Sequence, residues 1–327
     1  MSKRVKGLLA SLSILAATAT AALAQGSYPT QPITVVVPFS AGGPTDTVAR
    51  LVAQVMSREL GQQVLVQNVG GAGGTLGAGQ VAQAKPDGYT LLLHHIGMST
   101  APTLYRQLAF DPLKAFSPIG LITSVPMTIV ARKDFEPADA PALLAYLKEK
   151  GTETTYANAG IGSASHLCGM LLQEAAGVQM VTVPYQGAAP AMTDIVGGQV
   201  DLLCDQTTNT TNQIKAGEVK AYAVTTPARV PSLPDLPTTA EVGLPKLEIG
   251  VWHGLYGPVG LDAGVVEKLD AALKTALADE TVKSRFAELG TQPVAAEEAT
   301  PEALQKELTS QIELWRPIIQ AAGTYAD

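Results

Sequence analysis

Two hydrophobic periodicities alternate along the chain. Residues 33–37 form a short continuous apolar run, as expected of a strand buried on both faces of a parallel sheet, and the run ends in Pro38-Phe39-Ser40-Ala41-Gly42-Gly43-Pro44-Thr45-Asp46. Beyond that turn Val48, Leu51, Val52, Val55 and Met56 recur at helical spacing until Gly61 stops them. Residues 64–66 predict a second strand, a glycine-rich bend and short helix follow, and Lys85-Pro86-Asp87-Gly88 turns the chain into a third strand at 89–93. This β-α-β-α-β order predicts a parallel α/β layer.

A second unit of the same plan follows an apolar stretch, 116–132, that is long enough to cross between two lobes. It predicts a strand at 155–157, a loop at 158–166 and a helix at 167–176, then strand, helix, strand and strand at 180–184, 190–196, 200–204 and 219–225. The proline-rich piece 227–245 wraps the surface, 249–256 crosses back, and amphipathic helices at 263–277, 280–289 and 301–320 end the chain. Two crossings return the chain to its first layer, so these helices belong there. The expected domains are 28–123 plus 252–327 in lobe 1 and 124–251 in lobe 2, with a ligand cleft between them.

The N-terminus changes where this fold is placed. Lys3, Arg4 and Lys6 precede an apolar stretch, 8–23, that closes with Ala22-Leu23-Ala24, the pattern of a secretory signal peptide cleaved after Ala24. The stretch is diluted by Ala, Thr and Ser and is shorter than the roughly 20 residues a membrane span needs. The mature chain is therefore expected free in the periplasm. The full sequence of 327 residues, 46% hydrophobic, suffices for about two domains. The formal charge of −7 becomes more negative once the leader cations are removed, which argues against nucleic acid and anionic membranes as partners. Aromatic residues are only 5%, too few for sugar-stacking platforms.

Ligands of open α/β sheets sit beyond the carboxyl ends of strands, where loops deliver helix N-termini. Two loops answer to this, 39–46 and 159–166. Both are rich in Gly, Ala and Ser and lack Lys and Arg, so backbone N–H groups and hydroxyls are the donors on offer. That combination points to a carboxylate. One helix N-terminus contributes about 0.3–1 kcal/mol, up to about 2 when partly buried, whereas micromolar binding needs about 8. One loop is insufficient, and the two lobes must close together on the ligand.

At these residues the chain resembles a known family. Tyr28-Pro29-x-x-Pro32-Ile33, Val37-Pro38-Phe39-Ser40-Ala41-Gly42-Gly43, Pro86-Asp87-Gly88-Tyr89-Thr90-Leu91, Tyr156-Ala157-Asn158-Ala159-Gly160-x-Gly162-Ser163-x-Ser165-His166-Leu167, Val183-Pro184-Tyr185-x-Gly187-x-x-Pro190-Ala191 and Gly197-Gly198-Gln199-Val200-Asp201 together resemble the Bug-type solute receptors of tripartite tricarboxylate transporters. The resemblance implies a two-lobed periplasmic-binding fold of type II and no catalysis. It implies a monomer that holds a small organic carboxylate and presents it to membrane permease subunits, or reports it to a sensor kinase. It maps binding onto Phe39, Ser40, Ala41, Gly42 and Gly43 in one lobe and onto Gly162, Ser163, Ala164 and Ser165 in the other.

Further candidates come from position. Asp46 either orients a water or ligand hydroxyl, or complements the dipole of its helix. His94 and His95 follow the third strand; His94 is taken as ligand-facing, although one of the two is expected in the core. His166 reads as a capping or packing residue. Tyr185, Asp205 and Gln206 end strands that face the same cleft. An acid repels a carboxylate unless a hydroxyl, amine or water intervenes, so Asp205 is a specificity residue and not an anchor. Cys168 and Cys204 are expected near the cleft floor. A disulfide requires Cα atoms within about 7 Å, and an oxidising compartment favours it over two thiols. No cofactor or metal is expected: two cysteines and four histidines lack zinc spacing. Gly70-Gly71-Ala72-Gly73-Gly74-Thr75-Leu76-Gly77 departs from a dinucleotide fingerprint, and the serines lack a nucleophile elbow.

Overall fold

The structure, a computed structural model, describes residues 28–323 and 325–326. The leader read over residues 1–24 lies outside the described residues. Strand β1 (Ile33–Val37) runs parallel to β2 (Val64–Asn68) on one side and β3 (Thr90–His95) on the other. Helices α1 (Pro44–Leu60) and α2 (Thr75–Ala82) connect them, and α3 (Gly97–Leu104) follows β3. In the second lobe β5 (Thr155–Asn158) is parallel to β6 (Val181–Pro184) and β7 (Leu202–Gln206). Helices α4 (Ala140–Lys150), α5 (Ala164–Ala176), α6 (Ala188–Val196) and α7 (Thr207–Lys215) surround that layer.

Between the two parallel layers stand β4 (Phe116–Arg132) and β9 (Gly250–Pro258), antiparallel to each other. β9 pairs with β3, and the last residues of β4 pair with β7 and with β8 (Val219–Val224). One path of strands, β2-β1-β3-β9-β4-β7-β5-β6, thus runs through both lobes. β4 is the strand that makes this possible: residues 116–126 register with β9, and 127–131 with β7.

Alternation along the strands explains the layering. Val35 and Val37 face a cluster completed by Val48, Val52 and Met56 of α1 and by Leu269 and Leu273 of α8 (Ala263–Ala278). Val36 and Leu92 point to the other face, where α10 (Pro301–Ala322) lays Leu304, Leu308, Ile312 and Trp315. This second cluster continues through Met127 and Ile129 of β4 to Leu167, Cys168 and Cys204, so one core spans both lobes. Helix ends follow from local chemistry. Pro44 occupies the first turn of α1, and Gly61, left-handed at φ 65°, ends it. Thr300 accepts from the Ala303 amide at the start of α10. α9 (Glu280–Glu288) starts at Asp279, which accepts from Thr281 and Val282.

Three helices fall outside those predicted from the sequence: α3, α4 and α7. The last reads Thr-Thr-Asn-Thr-Thr-Asn-Gln-Ile-Lys, poor in helix formers. Its buried face bonds where others pack. Thr210 meets Thr128 of β4 at 2.7 Å, and Thr211 donates to the Leu289 carbonyl at 3.1 Å.

Cys168 on α5 and Cys204 on β7 are joined by a disulfide, with Cα atoms 6.0 Å apart and both residues fully buried. A crosslink over 36 residues restricts the unfolded chain by an entropy equivalent to about 4 kcal/mol. The double variant Cys168→Ala/Cys204→Ala is expected to fold and to lose stability of that order. Urea unfolding of both proteins under oxidising conditions checks it.

Candidate functional site

The first-lobe loop is held by Asp46. This residue, 3% exposed, accepts from the Gly42 amide (2.9 Å) and Arg50 Nε (2.8 Å) on Oδ2 and from Asn68 Nδ2 (2.9 Å) on Oδ1. Asn68 also donates to the Phe39 carbonyl at 3.1 Å. Burial alone would raise the Asp46 carboxyl, but the hydrogen bonds from Arg50, Gly42 and Asn68 outweigh it and hold it below the usual range. Both oxygens being engaged, Asp46 shapes the loop that leads into α1.

The second-lobe loop is wired through its serines. Ser163 caps α5 by accepting from the His166 amide at 3.3 Å, and Ser165 Oγ accepts from the Ala159 amide at 2.8 Å. The two hydroxyls lie 3.1 Å apart. Their mutual bond uses one of two hydroxyl protons, and the other is free to serve a ligand. Tyr156 donates to the Ser165 carbonyl (2.6 Å) and Asn158 accepts from the Gly160 amide (2.9 Å).

These loops close around a cavity of about 10 Å³, lined by Phe39, Pro44, Thr45, His95, Ala159, Ser163, Ala164, Ser165, Ala188, Asp205 and Gln206. Pro44 and Thr45 open α1, Ala164 and Ser165 open α5, Ala188 opens α6, and Gln206 is the N-cap of α7. Four helix N-termini therefore converge, each with N–H groups that have no partner inside its helix. No Lys or Arg is among the lining residues. The arrangement offers an anion backbone dipoles and hydroxyls as its donors.

Phe39 is fixed from below by histidines. It stacks on His95 at 4.4 Å and meets the edge of His94 at 5.6 Å. His94, His95 and His253 are fully enclosed; burial pushes His94 and His253 down to about 3 and His95 well below its ordinary range. All three are neutral near pH 7. His95 Nδ1 accepts from the Gly97 amide at 3.0 Å, which places the ring proton on Nε2. Among the described residues no group of three or more His, Cys, Asp or Glu could hold a metal ion.

The lobes meet along a seam outside the cavity. A Cβ on Gly73 would lie 2.0 Å from the Ile161 carbonyl oxygen, and one on Gly70 2.8 Å from that of Gln186. Thr100 and Tyr105 donate across to the Gly162 and Ile161 carbonyls at 3.1 and 2.9 Å. Beyond the seam lies a vestibule of about 600 Å³ lined by Tyr105, Ile161 and Tyr185. A larger groove, about 1,180 Å³, runs between α4, α5 and the end of α10; it has no such convergence of helix starts.

Of the candidates read from sequence, Phe39, Ser163, Ala164, Ser165 and Asp205 line the cavity. Ser40, with a buried Oγ that has no partner, and Gly43 border the seam at Gly187 and Ala189, and Ala41 is exposed. Gly42 serves Asp46, and Gly162 serves Thr100. Tyr185 lies in the vestibule, its hydroxyl on Asp194 at 2.6 Å. The structure puts His95 in the cavity wall and His94 behind it, with His94 Nδ1 accepting from the His95 amide. Thr45 and Ala159 join the wall from the two loops expected to bind, and Ala188 joins it without having stood out in the sequence. Its one signal is position, at the start of a helix.

The family model described as tripartite tricarboxylate transporter family receptor, TctC, matches residues 48–324. The chain belongs to this receptor family. A protein encoded in the TAR-I ttuE-ttuC' intergenic region of Agrobacterium vitis is 57% identical over 302 residues, covering 92% of this chain and 87% of its own. The structure of the periplasmic binding protein BugD superposes with a TM-score of 0.89 at 52% identity, over 91% of this chain and 99% of its own. MatC from Rhodopseudomonas palustris, with bound malate, gives 0.87 at 40% identity, over 89% and 100%. The TctC family is one of carboxylate-binding solute receptors and not of enzymes. No described helix of this TctC receptor is long and apolar enough to cross a membrane.

One residue of the receptor's cavity works against the fold. Burial pushes Asp205 up to about 7, against hydrogen bonds from Asn209 and the Gln206 amide that favour its ionised form. The folded value lies above the ordinary value of about 4, so between the two the folded chain binds the extra proton. Asp205 therefore makes the receptor less stable as pH rises from about 4 through about 7. Asp205→Asn, which fixes a neutral side chain, is expected to melt above the wild type at pH 8 and to lose that advantage towards pH 5. Scanning calorimetry at both pH values checks it; an equal difference at the two would show that Asp205 does not titrate there.

Proposed function

We infer that the protein is an exported receptor that captures a small organic carboxylate between its lobes in the periplasm and delivers it to the membrane permease subunits of a tripartite tricarboxylate transporter. The observation that carries this reading is the meeting of four helix N-termini over a cavity without a basic residue in its wall. Malate in the related MatC structure supports a dicarboxylate as the class of ligand. Export uses the leader that ends at Ala24, and the mature receptor works as a monomer.

Magnitudes favour capture by closure. Four N-termini at their upper value of about 2 kcal/mol each only just reach the roughly 8 that micromolar binding needs, and such contributions do not add fully. The serine proton and free amides supply charge-assisted bonds worth about 1.5–3 kcal/mol apiece once water is excluded. Both lobes contribute to that set, so affinity exists only with the cleft shut. The units that move are 28–123 with 252–327 against 124–251, about β4 and β9, and the closed form is what the permease senses.

A thermal-shift screen against mono-, di- and tricarboxylates, aromatic acids, acidic amino acids and neutral sugars tests this. Binding stabilises by roughly 2.7 kcal/mol at a hundredfold excess over Kd. A shift confined to a few carboxylates is expected, and a shift with sugars alone would overturn the reading.

The seam gives a second expectation. Gly70→Ala would set a methyl 2.8 Å from the Gln186 carbonyl oxygen across the seam, opposing closure while leaving each lobe intact. Calorimetric affinity for the best acid is expected to fall at least tenfold with an unchanged melting temperature. Undiminished affinity would show that this seam does not close on the ligand.

A further inference from the structure

The donors of the cavity are accounted for by a carboxylate, but its acceptors are not. Asp205 and Gln206, each 2% exposed, end β7 in the cavity wall. Gln206 Oε1 has no hydrogen-bond partner. Asp205 Oδ2 accepts from Asn209 Nδ2 at 2.7 Å, and no cation among the lining residues offsets its charge. A buried acceptor left unpaired costs free energy, and an ionised Asp205 repels the very anion that the helix starts attract. Both objections vanish if the ligand brings a donor of its own.

We propose that Asp205 and Gln206 form a second subsite that takes a hydrogen-bond donor carried next to the ligand's carboxylate, so that the receptor selects 2-hydroxy or 2-amino acids over the same acids lacking that group. This rests on the carboxylate reading above. The topology fixes where on the ligand the donor sits. β7 is the hydrogen-bonded neighbour of β5, and the serine loop follows β5 directly, so acceptor and donor walls stand one strand spacing apart, about 4.8 Å. That distance suits a carboxylate and the substituent on the adjoining carbon, and is too short for the two ends of a longer chain.

The electrostatics around Asp205 agree with either kind of donor. Its titratable neighbours are His95, held neutral by burial, and Tyr156, raised above its usual range by burial. Asn209 and Thr128, which faces it across the β4–β7 ladder, are uncharged. Asp205 is therefore the one group in this wall that changes charge near neutrality. Ionised, it accepts from an ammonium; protonated or ionised, it can bond a hydroxyl.

Titration calorimetry on two matched series tests the subsite: succinate, malate and aspartate, then glutarate, 2-hydroxyglutarate and glutamate. At least one substituted acid is expected to bind ten or more times tighter than its unsubstituted parent, because a site built to bond a donor rejects the analogue without it. Gln206→Met, which keeps volume and removes the acceptor, and Asp205→Asn are each expected to narrow that ratio to within threefold. A single cooperative melting transition, at or above the wild-type temperature, would show the folds to be intact. A hydroxyl as the natural donor leaves the preference flat between pH 6 and pH 8, whereas an ammonium makes it grow with pH. Parent acids binding as tightly as their substituted forms, or variants that keep the full ratio, overturn the subsite and leave the carboxylate reading in place. Binding of none of the six acids, together with no shift for any other carboxylate in the thermal screen, overturns that reading itself.

Discussion

Helices α1, α5, α6 and α7 start at one buried cavity that has no basic side chain in its wall. Helix dipoles act only within about their first turn, so an anion held this way needs every helix start within contact distance of it. Strand–helix units satisfy the requirement when the carboxyl ends of their strands face one point. The two parallel layers could do so only if some element joins them at a fixed angle. β4, paired to β9 in one layer and to β7 and β8 in the other, is that element. Its partner β9 also delivers His253, which sits behind Thr45 at 3.4 Å and braces the start of α1.

The same requirement explains what stands at the lobe interface. Dipoles and hydroxyls gain strength as water leaves, because the local dielectric falls, and water leaves only if the backbones of the two lobes touch. At Gly73 a side chain would occupy the place of the Ile161 carbonyl oxygen. Contact there is between backbone and backbone, with Thr100 and Tyr105 satisfying the carbonyls that closure covers. Tyr185 and the vestibule lie on the far side of this line, where they border the approach and not the cavity.

Much of this was legible in the chain. Residues 33–37 announced β1 by their apolar run, and Gly61 announced the end of α1, because each signal is local. The two glycine loops were legible as donors for the same reason, together with Cys168 and Cys204 as neighbours on one layer. What failed to show was set by partners distant in sequence. α7 lacks apolar periodicity because its threonines bond to Thr128 and to the Leu289 carbonyl, and hydrogen-bonded threonines look like a loop. His94 and His95 differ by one residue, and period-two alternation decides which reaches the cavity. The outcome follows from Phe39, which stacks on His95, a contact that no local pattern foretells. Asp46 was open between ligand and helix; three donors, Gly42, Arg50 and Asn68, take it for the loop.

Asp205 brings stability and binding into opposition. A fully buried acid without a cation penalises the folded state at neutral pH, and an asparagine would fill the same space without that penalty. Such a residue persists where the ligand, and not the fold, completes its bonding. The cost of burying it is then present in the closed receptor without the right acid and absent with it, so part of the selectivity resides in the empty cleft's reluctance to close. Helix N-termini alone cannot provide this, since they attract any small carboxylate alike. Attraction by four dipoles and rejection by one buried carboxyl without a cation are complementary: the first sets which class of ligand is admitted, and the second decides among its members.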